Sequence, residues 1–257
     1  MNKRTWKIHL GTGKPLILIL TRKDSSPLNI LEWKNNLSKF CNNAHFLIID
    51  VAEKFIQENG FKNFTIKELS HFLYKYLLKN NIYPNMIWGF SMGGMICQEL
   101  TSYPEFQKVP LLLISTNLYA TKKLQAIFST WYLSLKYGTV NDFYRVFYPW
   151  IISSNKLPIY SLKNNITIDN FSKKKLLYCI KAISKHNACN TIKNKQNKIL
   201  ILFGENSILL NKEESLIFQK YMPHAKIYFV KKASMRIMDN LDINTINLIN
   251  NYIKEVI

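Results

Sequence analysis

The sequence predicts an α/β fold: a mostly parallel sheet with helices on both faces. Short apolar runs in it are continuous rather than alternating, as in strands buried on both sides. Stretches with apolar residues at helical spacing lie between them, and strands alternating with helices mean a parallel sheet. The alternation breaks once, from about Asn117 to about Asn197, where the chain becomes aromatic-rich and mostly helical.

The first element, TWKIHL (5–10), alternates and suits an exposed edge strand. PLILIL (15–20), HFLIID (45–50), MIWGF (86–90), VPLLLIS (109–115), KILILF (198–203) and KIYFV (226–230) read as the strands beside it. Helices are predicted over 30–40, 66–80, 92–103 and 243–256, each with an apolar stripe at three- and four-residue spacing. WYLSLKYGTVNDFYRVFYPW (131–150) belongs to an insertion of about 117–197 over the carboxyl edge of the sheet. NKLPIYSLKNNITIDN (155–170) reads as surface loop. The 257 residues, 47% hydrophobic, suffice for one domain spanning the chain.

Composition excludes several classes. The apolar runs are far below the ~18 residues of a membrane span, and the N-terminus lacks the apolar core of a signal peptide; a cytoplasmic protein is expected. Cys41, Cys97, Cys179 and Cys189 stand apart, without metal-ligand spacing, so free buried thiols and no metal or cofactor are expected. The net charge of +19 invites an acidic partner. However, its lysines are scattered and accompany abundant Asn and Ile, as genome composition alone produces. No basic stripe interleaved with stacking aromatics is present, so nucleic-acid binding is not expected.

The chemistry centres on GFSMGG (89–94). It follows the strand MIW and opens a helix, the context in which G-x-S-x-G is a strained strand-to-helix turn. Gly89 and Gly93 let backbone pass close, Ser91 is pushed out at the top of the sheet, and the Met92 N–H points at a developing oxyanion.

From here the sequence resembles the alpha/beta hydrolase superfamily almost end to end. WGFSMGGMICQELTSYPEFQKVPLLLIST (88–116) looks like its elbow, helix and next strand. KILILFGENSILLNKEES (198–215) is similar to the strand that delivers the catalytic acid, and HAKIYFVKKASMRIMDN (224–240) to the one that delivers the catalytic His. HFLIID (45–50) looks like the strand ending in Asp, and the insertion resembles a helical lid that shapes an acyl pocket.

The likeness implies a nucleophile at Ser91 with the Met92 N–H as oxyanion donor. It also places Ser207 where the family carries its acid, Met235 where it carries its His, and Thr21-Arg22 where a His-Gly pair supplies a second oxyanion N–H. Thr21, Arg22 and Phe90 are the candidate substrate contacts. Met takes no proton at useful pH, and Ser cannot hold an imidazole as an anion does. Of the five His, His186 at the end of the insertion is the one candidate for a replacement base. Glu205 could face the same side as the lost acid, and Asp239 and Asp242 read as caps of the last helix.

The resemblance implies a relative of serine esterases and thioesterases acting on small acyl substrates, with an acidic carrier protein as a candidate partner and with a degenerate triad that argues against ordinary hydrolysis. Two alternatives stand beside it: a non-hydrolytic pseudoenzyme or small-molecule binding protein, and a lyase, cyclase or isomerase that uses proximity in the same pocket.

Overall fold

A computed structural model of the chain describes residues 4–21, 28–40, 43–153, 166–193 and 195–257. Its strands are β1 (Lys7–Leu10), β2 (Leu16–Leu20), β3 (His45–Ile49), β4 (Met86–Phe90), β5 (Leu111–Ile114), β6 (Ile199–Gly204) and β7 (Lys226–Val230). They form one sheet in the order β1-β3-β2-β4-β5-β6-β7. Only β1 runs antiparallel, against β3. It is the edge strand its alternation predicts. In β2 to β6 nearly every side chain is buried, and neighbours in sequence face opposite layers. Leu18 and Leu20 join the core on one face, and Ile17 and Ile19 the core on the other.

Among the described residues the helices are α1 (Ile30–Leu37), α2 (Val51–Asn59), α3 (Ile66–Lys79), α4 (Met92–Leu100), α5 (Lys122–Tyr137), α6 (Val140–Ile151), α7 (Asn170–Ile183), α8 (Cys189–Ile192), α9 (Lys212–Tyr221) and α10 (Ile243–Val256). α1 and α10 cover one face of the sheet, and α2, α3 and α4 the other. In α3, Thr65 and Glu68 close a capping box, and Ile66, Leu69, Leu73 and Leu77 bury one stripe. The predicted helix 92–103 stops at Leu100, because Pro104 opens a separate 3-10 turn, Pro104–Phe106. α2, α8 and α9 are additions to the predicted elements. Most of the expected surface loop 155–170 lies outside the described residues.

The segment between β5 and β6 supplies α5, α6 and α7. In α6 Phe143, Phe147 and Ile151 recur every four residues and are buried. α7 carries one residue that hydrophobic patterning does not foresee. Lys175 is 1% exposed, and its ammonium is bonded to Asp50 and to Glu53 (3.1 Å), at the start of α2. Arg4 joins this network through Glu53 (2.8 Å) and Asp169 (2.7 Å). Two cations and three carboxylates thus tie α7 to the end of β3.

Candidate active site

β4 ends at Phe90, and the next residue turns sharply into α4. Ser91 has φ 50° and ψ −116°, a left-handed conformation that costs about 1–3 kcal/mol for a residue with a Cβ. Neighbouring structure overrides the strain. The Ser91 N–H donates to the Ile114 carbonyl (2.9 Å), extending the β4–β5 ladder by one bond. The Ser91 carbonyl accepts from the Gly94 amide (2.9 Å) and from the Thr116 hydroxyl (2.8 Å). A Cβ on Gly93 would strike the carbonyls of Leu20 and Thr21, so only glycine lets the first turn of α4 pass the end of β2.

Ser91 opens onto a cavity of about 60 Å³. The side chains around it are mostly apolar, among them Phe90, Met95, Phe128, Trp131, Leu210 and Met235. Its walls come from α4, the inserted helices α5, α6 and α7, and the loops after β5, β6 and β7. These are the carboxyl ends of the parallel strands, where ligands of open α/β sheets bind. The polar lining is Ser91, Ser115, Asn117 and Arg236. The Ser115 hydroxyl donates to the Met235 carbonyl (2.6 Å), and the Arg236 Nε lies 2.8 Å from Asp239. Among the described residues no His and no carboxylate lines the cavity, and the Ser91 hydroxyl has no hydrogen-bond partner.

The sequence-derived candidates divide accordingly. Phe90, Ser91 and Met235 line the cavity. Met92 is buried as the first residue of α4, where no preceding turn offers its N–H a carbonyl. Thr21 is buried under the elbow, its carbonyl facing Gly93 and its N–H bonded to Ile49. Arg22 lies outside the described residues. Ser207 is buried in the loop after β6, and its hydroxyl accepts from the Leu210 N–H (3.2 Å), closing a turn. Leu209 and Leu210, rather than Ser207, face the cavity.

The readings of Glu205, Asp239 and His186 are corrected. The Glu205 carboxylate accepts from the Lys232 N–H (3.1 Å) and lines a separate surface hollow. Asp242 caps α10, bonding the Thr245 N–H, while Asp239 pairs with Arg236 instead. His186 is neither on the surface nor a replacement base. It is 5% exposed, with its Nε2 3.1 Å from Gln98 Oε1. Because the Gln98 amide donates to the Asn117 carbonyl (3.2 Å), its oxygen accepts, and His186 donates through Nε2. Burial pushes the imidazole down to about 3. Gln98 is seven residues along α4 from Ser91, about 10 Å at 1.5 Å per residue, so the ring is held two turns away from the serine.

Sequence reasoning overlooked Ser115, Asn117 and Arg236. Ser115 has φ 49°, a second strained serine at the end of the neighbouring strand. A visible signal was the polar trio Ser115-Thr116-Asn117 directly after an apolar strand that ends beside the elbow. Among the described residues no group of His, Cys, Asp and Glu could hold a metal ion. No described helix is long and apolar enough to cross a membrane. Cys97 and Cys189 are free and buried, Cys179 is buried, and Cys41 lies outside the described residues.

No family model matches this chain, and no curated protein matches it. Solved structures do. An alpha/beta hydrolase enzyme from a Medee basin deep-sea metagenome library is 16% identical with a TM-score of 0.77, covering 97% of this chain and 94% of its own. A thermophilic esterase from Thermogutta terrifontis is 14% identical with a TM-score of 0.72, covering 97% and 92%. Homoserine O-acetyltransferase from Staphylococcus aureus is 14% identical with a TM-score of 0.72, covering 95% and 88%. With its strand order, its strained Ser91 turn and these likenesses, the chain has the alpha/beta hydrolase fold.

Proposed function

We propose that this chain is a relative of serine esterases and thioesterases that takes a small acyl group into the Ser91 cavity and has lost ordinary triad hydrolysis. One observation carries the reading: Ser91 sits in a strained elbow at an apolar cavity, and among the described residues no base or carboxylate lines that cavity. The apolar walls favour an acyl chain by burial. The Met92 N–H, at the positive end of α4, is the donor for an acyl oxygen. Without a base to take its proton, the hydroxyl stays a weak nucleophile. The helices between β5 and β6 act as a lid within a single domain.

A carrier-held substrate fits the charge of that lid. Besides the buried Lys175, α5 and α7 contain six lysines, and they contain no carboxylate. Lys136, Lys174, Lys181 and Lys185 line hollows along the groove between these helices. An acidic carrier protein would be steered to such a face.

The test uses purified protein with an alkyl fluorophosphonate and with p-nitrophenyl butyrate. Labelling at Ser91 is expected to be at least ~10³-fold slower than for a base-activated serine, since a positioned base alone contributes about 10²–10⁴. Rapid labelling abolished by Ser91→Ala would overturn the reading and restore a working esterase. The competing reading, a binding protein with no turnover, is favoured by a cavity that persists without acid and base. It is distinguished by ligand-induced thermal stabilisation that Ser91→Ala leaves unchanged.

A further inference from the structure

Most of the Ser91 cavity offers a ligand no hydrogen bond, and two of its polar side chains are already engaged within the protein, Ser115 with Met235 and Arg236 with Asp239. Asn117 differs. It is 2% exposed, it lines the cavity, and its side-chain Nδ2, itself buried in the cavity wall, has no hydrogen-bond partner among the described residues. A buried amide left unpaired is a cost to folding.

Folding does not require that side chain. The loop after β5 is held by other groups: the Thr116 hydroxyl donates to the Ser91 carbonyl, and the Gln98 amide donates to the backbone carbonyl of Asn117. Both bonds would survive a change of the Asn117 side chain. An amide left unpaired on a well-held backbone, in the wall of an apolar cavity, has the properties of a ligand-binding group rather than a structural one.

We propose that Asn117 selects for a carbonyl oxygen in this cavity, its side-chain amide turning about Cβ–Cγ so that the N–H donates to the acyl group of the ligand and holds that group beside the Ser91 hydroxyl. This deepens the proposed function and rests on the Ser91 cavity being the acyl site. The chain reads polarity with Asn117 and chain length with the apolar walls, so its ligands are short acyl compounds rather than hydrocarbons of equal size.

The experiment compares wild type and Asn117→Leu with two probes, 2-butanone, which carries the carbonyl, and 1-chlorobutane, which carries no strong acceptor. Affinities are measured by NMR titration and unfolding temperatures without ligand. Asn117→Leu is expected to weaken 2-butanone binding about tenfold, which is one hydrogen bond's worth. It should leave 1-chlorobutane within about twofold and the unliganded unfolding temperature equal or higher. Equal loss for both probes, or unchanged ketone affinity, overturns the proposal.

If Asn117→Leu does not fold, the side-chain amide signals of Asn117 in the wild type decide. They move on adding 2-butanone and not on adding 1-chlorobutane, and signals that stay still overturn the proposal. Failure of the Ser91 reading is separate. Ser91→Ala leaves the ketone preference intact, and fluorophosphonate labelling reports on Ser91 alone.

Discussion

Ser91 was legible because a strained turn needs glycine at defined offsets, and those offsets are visible in GFSMGG. What surrounds its hydroxyl was legible only by elimination, since the sequence marks Met235 and Ser207 as residues that are neither base nor acid and says nothing of their contacts. Met235 lies in the cavity wall, so an imidazole there could reach the serine. Met235→His combined with Ser207→Asp is expected to raise the fluorophosphonate labelling rate by about 10²-fold, with Ser91→Ala abolishing the gain.

His186 behaves in the opposite way. Burial keeps it neutral in the folded chain down to about 3, even with the Glu99 carboxylate 3.9 Å from its Nδ1, whereas its ordinary value is 6.5. The unfolded chain therefore binds a proton below pH 6.5 that the folded chain refuses. The associated stability is complete above pH 6.5 and is lost as pH falls from there toward 3. By pH 4 the loss from this residue is about 3 kcal/mol. Urea midpoints measured from pH 7 to pH 4 should flatten in His186→Gln, which keeps the donor to Gln98. A parallel slope in wild type and variant would remove His186 as the cause.

Among the elements, the sheet was readable because a short, unbroken apolar run suits a strand covered on both faces and little else in a chain of this length. The predicted strands recur within a residue or two. α2 escaped because Asp50 was taken as the end of a strand, although it is also the N-cap whose carboxylate holds the Glu53 N–H. α9 escaped despite a capping box, Asn211 with Glu214, that stands in the sequence.

The Lys175 network was not legible at all, because a lysine in a run of three looks solvated until the fold brings Asp50 and Glu53 against it. Removing one member of a buried ion cluster strands the others. Lys175→Met is therefore expected to lower stability by about 3–5 kcal/mol. Its urea midpoint should recover when Asp50→Asn and Glu53→Gln are added, because the uncompensated charges are then gone. A midpoint that stays low would assign the loss to packing of the lysine stem.

For the whole molecule, a charge of +19 on 257 residues means net self-repulsion in the compact state. Raising NaCl from 20 to 500 mM shortens the screening length from tens of Å to a few Å, so the unfolding temperature is expected to rise. A fall would mean that ion pairs such as Arg4–Asp169 outweigh the repulsion. Sequence could supply the sum of charges but not their distribution, and the carboxylate-free pair α5 and α7 emerges only once the two helices lie side by side.

Between those helices stands Phe128, which lines both the Ser91 cavity and one of the outer hollows. Its ring is part of the partition between interior and solvent. Rotation of one benzyl group about its Cα–Cβ bond is a far smaller event than parting two packed helices. Traffic through that partition would be limited by a side-chain flip. Phe128→Ala should therefore speed labelling of Ser91 by bulky fluorophosphonates more than by small ones, a size dependence that rate measurements on an alkyl series would show directly.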